Sequence, residues 1–218
     1  MKKLNVKNSS EEFTAGKLVC VGRNYAEHIK ELGHERPEFP LIFLKPASVI
    51  VYSGDKVIHP EYSEELHYES ELVLLIGKDV KNGNASEAED AIAGYGLGLD
   101  MTLRDLQRNL SKKGDPWTLS KVFDTSAVLS DFVLKKDHKL TMKEVISLKV
   151  NGQLKQNSAL EMMIFPPVEI VKYISGVMML EKGDLIFTGT PAGVGKVVPG
   201  DKIEAEISGI GHLKTEIA

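Results

Sequence analysis

The stretch HYESELVLLIG, His67 to Gly77, constrains the fold more than any other part of the chain. From Leu72 to Ile76 every residue is apolar, with no alternation to mark a wet side. A strand of that kind is covered on both faces, so it belongs inside a sheet rather than at its edge. Glu69 and Glu71 stand at its start, two residues apart, and a strand points such a pair to one face. Two carboxylates held side by side repel each other. The cost is tolerable in open solvent or with a cation between them, and from this stretch alone both readings stand.

The rest of the chain is also dominated by short strands. KLVCVG, FPLIFLKP, SVIVYSG and DKVIHP read as strands bounded by glycine and proline, with Gly54-Asp55 as a turn. GYGLGLDMT is a glycine-rich strand, where missing side chains imply close backbone approach. SLKVNGQLKQ predicts a hairpin with Asn151-Gly152 as a type I′ turn. Helices are fewer. One is expected over SEAEDAIAGY, opened by Ser86 with Glu89 completing a capping box, and another over LRDLQRNLSKKG, ending at Gly114. PPVEIVKYISGVMML supplies a third, with prolines at its start. Strands outnumber helices without alternating regularly with them, which disfavours a doubly wound sheet. With no repeat and no linker, the expectation is one β-rich α+β domain over 1–218, with 1–16 as a short lead-in.

A net charge of -4, with both signs interspersed, points to no nucleic-acid surface and no membrane-binding patch. No apolar run approaches the ~20 residues of a membrane span, and the N-terminus lacks the apolar segment of a secretory signal. Cys20 is the only cysteine, so no internal disulfide forms, and a reducing cytoplasm is the expected compartment. Between Val19 and Val21 it reads as core packing. GVGK, at Gly193 to Lys196, lacks the spacing and the Ser or Thr of a phosphate loop. The histidines, His28 and His34 included, offer no zinc spacing, and no G-x-S-x-G elbow is present.

A third carboxylate, Asp100, also ends an apolar strand, GYGLGLD. Three carboxylates on core strands, without a Lys or Arg among them, suit a hard cation with oxygen ligands, magnesium or manganese. A solvated edge remains the competing account. In GRNYAEHIKELG, His28 and Glu31 are i and i+3 on a short helix and can meet on one face. That pairing is a general-base arrangement or a chance surface pair.

Taken together, GRNYAEHIKELG, FLKP, HYESELVLLIG, GYGLGLDMTLRDLQ, GDPWTLSKVFD, KVNGQL and GDLIFTGTPAGVG resemble the fumarylacetoacetate hydrolase family. The resemblance runs in order from about Lys17 to Ile217 and is nearest to the short branch of acylpyruvate hydrolases and oxaloacetate decarboxylases. It implies a mixed β-sandwich roll with a few peripheral helices, assembled as a homodimer. It implies one magnesium or manganese per chain on Glu69, Glu71 and Asp100, and water activation by His28 with Glu31 on a lid helix. Lys121 matches a lysine that steadies oxyanion charge, while Arg104, Gln107 and Thr190 match positions that hold the substrate's oxygens. His67 stands where relatives often carry aspartate, as an orienting neighbour of the carboxylates. The substrate implied is a small 2-oxo acid, cleaved at a carbon–carbon bond. Isomerase, hydratase or tautomerase activity on such acids is the alternative, and a non-catalytic cation-binding module is a third.

Overall fold

The apolar run forms the strand Ser70–Ile76, buried at every residue, in the middle of an eight-stranded sheet. The computed structural model describes residues 1–31, 33 and 35–218. His34, weighed above for zinc spacing, and Leu32 of GRNYAEHIKELG therefore lie outside the described residues.

Both faces of this strand are dry, because each packs into its own apolar cluster. Leu72, Leu74 and Ile76 meet Leu97, Ile146, Leu148, Ile203 and Leu213 on one side. Val73 and Leu75 meet Leu18, Cys20, Leu129 and Phe187 on the other. Each side chain so buried stabilises the fold by about 1.5–3 kcal/mol before entropic costs, which is what makes the register unambiguous.

Leu185–Phe187 and Ile92–Asp100 flank the strand, both antiparallel to it. Beyond the first lie Leu18–Gly22, paired in parallel, and then Leu41–Lys45 at the sheet's edge. Beyond the second lie Ala127–Leu129 and Ile50–Tyr52, with Val133–Leu134 on the same long strand. A five-stranded sheet carries Val145–Val150, Gln153–Ala159, Lys202–Ile207, Gly211–Ile217 and Lys56–Val57. Its hairpin turns at Asn151 (φ 49°) and Gly152 (φ 78°), as the sequence predicts.

A three-stranded sheet places the site. Leu66–Tyr68 lies there between Thr102–Leu103 and Gly195–Val197. The chain leaves this sheet at Glu69 to enter the large one at Ser70, and makes the reverse passage between Asp100 and Thr102. Glu69 and Asp100 therefore meet at one seam, where the Asp100 amide donates to the Glu69 carbonyl at 2.9 Å.

Five α-helices among the described residues cover the edges: Ala26–Glu31, Ala85–Ala91, Arg104–Lys113, Thr118–Lys121 and Pro167–Val177. The second differs from expectation. Its cap is Asn84, whose side chain accepts from the amides of Ser86 and Glu87, while Glu87 returns the bond to the Asn84 amide. Asn outcompetes Ser86 because it stands before an equally good capping partner two residues earlier, and the helix yields to strand at Ile92.

Candidate active site

Glu69, Glu71 and Asp100 converge, each offering an oxygen within 4.8 Å of the others, and all three are buried. The i, i+2 geometry is realised across the seam rather than along one unbroken strand, since Glu69 belongs to neither sheet. This excludes the solvated-edge account: the pair is under protein, not water.

The expectation that no cation compensates the trio does not hold. Three do, each brought from elsewhere in the chain. Lys121 Nζ donates to Glu69 Oε2 at 2.7 Å, Asp100 Oδ2 at 2.6 Å and Thr102 Oγ1 at 2.7 Å. Arg104 pairs with Glu69 Oε1 and with Gln107. Lys45, fully buried, stands 2.7 Å from Asp100 Oδ1. It lies off the hydrogen-bonding line, giving its protons to the carbonyls of Met101 and Ser126 at 3.1 and 2.8 Å. Among the described residues, Asp100 Oδ1 is thus a buried carboxylate oxygen that accepts no hydrogen bond. Burial pushes the Glu69 pKa up, but Lys121 and Arg104 outweigh it and hold the group ionised well below the carboxylate range. Glu71 goes the other way, raised by burial and by the facing charges of Asp100 and Glu69.

This set fits a hard divalent cation. All three side chains offer oxygen, Asp100 Oδ1 accepts no hydrogen bond from a described residue although Lys45 stands beside it, and the charge that lifts Glu71 is what a cation would relieve.

Glu71 Oε2 accepts the Gly189 amide at 2.7 Å. That residue sits at φ 95°, and a Cβ there would come within 2.7 Å of the Asn24 Cβ, so only glycine brings the amide this close. Asn24, fully buried, fixes the same corner by donating to the carbonyls of Phe165 and Thr188 and accepting the Phe165 amide.

His28 is buried on the face of its helix toward the trio, with Nδ1 3.0 Å from Glu31 Oε2. A carboxylate only accepts, so Nδ1 carries the proton and Nε2 keeps a lone pair. Burial lowers the His28 pKa, so the ring is neutral near pH 7. The Gly193 amide donates to the Glu31 carboxylate at 3.1 Å, tying helix and dyad down on the TGTP-AGVG loop. The helix packs its inner face through His28 and Ile29, while Ala26, Glu27, Lys30 and Glu31 remain exposed.

A cavity of about 470 Å³ opens over the trio, and all the residues expected at the site line it except Glu31, which stands behind His28. His67 lines it too; burial, then Arg104, pushes its pKa down to about 4.

Sequence reading missed Lys45 and Gln156. Gln156 Oε1 accepts from the amide and hydroxyl of Ser70, at 3.1 and 2.9 Å, between the two glutamates. Its Nε2 donates to Thr190 Oγ1 and the Pro191 carbonyl, each at 2.8 Å. One buried amide thus ties the carboxylate strand to the loop bearing Thr190. Thr190 accepts that bond and keeps its own proton to donate.

A β-rich fold with a buried acidic trio, a neutral histidine–glutamate dyad and a lysine between the carboxylates is matched by the family model for the fumarylacetoacetate (FAA) hydrolase C-terminal domain over residues 17–218, and the chain belongs to that family of enzymes. The bovine oxaloacetate tautomerase FAHD1, mitochondrial, is 44% identical over 200 residues, which span 92% of this chain and 90% of that protein. The crystal structure of fumarylpyruvate hydrolase from Pseudomonas aeruginosa in complex with Mn2+ and pyruvate superposes with a TM-score of 0.95 at 37% identity, covering 100% of this chain and 95% of that one. A 5-carboxymethyl-2-hydroxymuconate delta-isomerase from Mycobacterium smegmatis gives 0.83 at 35% identity, covering 95% and 80%.

Proposed function

We propose that the protein is a magnesium- or manganese-dependent enzyme that cleaves a carbon–carbon bond in a small 2-oxo acid of the acylpyruvate or oxaloacetate type. The observation that carries this reading is the acidic trio at the floor of a cavity that also holds a neutral histidine oriented by a carboxylate. A divalent ion on Glu69, Glu71 and Asp100 would supply Lewis acidity toward the carboxylate and keto oxygens of such an acid.

The chain's own residues account for the proton transfers. His28 Nε2 takes a proton from water, Glu31 stabilises the resulting imidazolium, and the hydroxide oxygen bonds to the acyl carbon. As the carbon–carbon bond breaks, its electron pair passes to the pyruvate fragment, and C3 takes back the proton from His28. Thr190, through its free hydroxyl proton, holds a substrate oxygen. Arg104 and Gln107 line the same wall; their mutual bond orients both. Lys121 contributes to oxyanion binding by exchanging one of its three present acceptors. Homodimeric assembly and a cytoplasmic location belong to this reading; no helix among the described residues is long and apolar enough to cross a membrane.

A second reading is tautomerase or isomerase activity. The bovine relative's name favours it, and so does His28, because a neutral Nε2 can move a C3 proton as readily as one from water. Glu31→Gln decides the dyad's role. It should lower acetylpyruvate hydrolysis by about 10²-fold or more while sparing metal-dependent decarboxylation of oxaloacetate. Equal losses of both would show that Glu31 serves to dock the helix rather than to orient a base.

A further inference from the structure

Arg23 is the arginine of the cavity wall that has no carboxylate. Arg104 is committed to Glu69 and Gln107, and Arg108 to Glu65 at 2.8 Å. Lys112 also lines the wall, but as an exposed side chain on the helix's last turn. Arg23 is half-buried, makes no ion pair with a described residue, and its Nε is buried without a hydrogen-bond partner. Burial alone lowers its pKa, with no acid nearby to offset it.

Its backbone is costly as well. At φ 59°, Arg23 occupies the left-handed region, which β-carbon-bearing residues enter at a cost of roughly 1–2 kcal/mol. Gly22 precedes it and would take that conformation freely, yet the strained position falls on the arginine. The neighbours hold it there: Asn24 is clamped by its three hydrogen bonds, and the guanidinium lies 5.8 Å from the Trp117 ring centroid. Trp117 is in turn fixed by Ser111 Oγ at 2.8 Å and by edge contact with Phe43. A strained backbone, an orphaned donor and an aromatic backing plate together present a planar fork that pairs with no carboxylate among the described residues.

The position says what the fork is for. A second hollow adjoins the first, and the two share Arg23, Phe43, Ser111 and Trp117 while the trio borders only the first. Phe43, whose ring centroid lies 4.8 Å from Lys121 Nζ, joins the two hollows, and Arg23, Ser111 and Trp117 carry the wall on into the second, which the trio does not border. Resting on the proposed function above, we propose that Arg23 binds the remote carboxylate of a dicarboxylic 2-oxo acid whose 2-oxo acid end lies at the trio. The substrate class is thereby a diacid, not a monoacid such as acetylpyruvate.

The test compares the wild type with Arg23→Met and Arg23→Lys, on fumarylpyruvate, whose remote carboxylate lies beyond the acyl carbon, against acetylpyruvate, at saturating manganese. Arg23→Met should lower the kcat/KM of fumarylpyruvate relative to that of acetylpyruvate about tenfold to hundredfold, the range for a lost charge-assisted pair, mostly through KM. Arg23→Lys, which keeps the charge but not the fork, should recover part of that ratio. An unchanged ratio in both variants overturns the assignment. So does a wild type that turns over acetylpyruvate in preference to fumarylpyruvate, an outcome that leaves the proposed cleavage reaction standing. A wild type inert toward both acids, and toward oxaloacetate as well, removes the reading beneath the assignment, and the assignment with it.

Discussion

Lys45→Met removes a buried ammonium and substitutes a side chain of similar length and no charge. Lys45 is 1% exposed, stands 2.7 Å from Asp100 and supplies the donors for the Met101 and Ser126 carbonyls. Removing one partner from such an arrangement strands the other, and breaking a buried pair costs about 3–5 kcal/mol, against under 1 kcal/mol for an exposed one. In a chain of 218 residues each kcal/mol moves the melting temperature by about 2–4 °C, so the variant should melt roughly 6–20 °C below the wild type. The assay is thermal and urea unfolding followed by circular dichroism in EDTA, so that no divalent ion substitutes for the lost charge. A loss below ~1 kcal/mol would refute the claim that Lys45 compensates Asp100.

Manganese binding should release a proton from Glu71, whose carboxyl is raised by burial and by Asp100 and Glu69. A group protonated in the free protein and ionised in the complex makes affinity rise with pH, and titration calorimetry in two buffers of different ionisation enthalpy will count the proton. An affinity independent of pH would mean that Glu71 is already ionised in the free protein, so that its neighbours' charges do not hold its proton on. Gln156→Leu should cost about 2–4 kcal/mol in urea unfolding by orphaning Ser70, Thr190 and the Pro191 carbonyl. A loss below ~0.5 kcal/mol would show that the amide bridge does not hold the strand and the Thr190 loop together.

What was legible in the sequence was what periodicity and spacing record. The interior strand, the hairpin at Asn151-Gly152 and the helix stop at Gly114 depend on residues within a few positions of one another. Glu69, Glu71 and Asp100 were legible because each ends or begins an apolar run. The compensating charges were not. Lys45 closes the strand FLK at the edge of a sheet and Gln156 sits in the polar run QLKQNSA, where both read as surface residues. Their burial depends on what tertiary structure lays over them: the seam with Asp100 for one, the Glu69–Glu71 strand and the Thr190 loop for the other. Arg23 was hidden differently, since its signal is a backbone angle that its residue type disfavours.

The order of strands in the large sheet also bears on how the protein is made. Leu185–Phe187 lies between Leu18–Gly22 and Ser70–Ile76, so one of its central members is synthesised long after its neighbours. Until residue 187 leaves the ribosome, both of those strands have an unpaired apolar edge that can add to any other chain within reach. The nascent protein thus has a long period of exposure to self-association that ends with one short segment, and the TGTP loop that follows arrives in the same step. Closing the sheet and completing the reaction centre are a single late event, so a truncated product lacking this segment would be an aggregation hazard rather than a partly active enzyme.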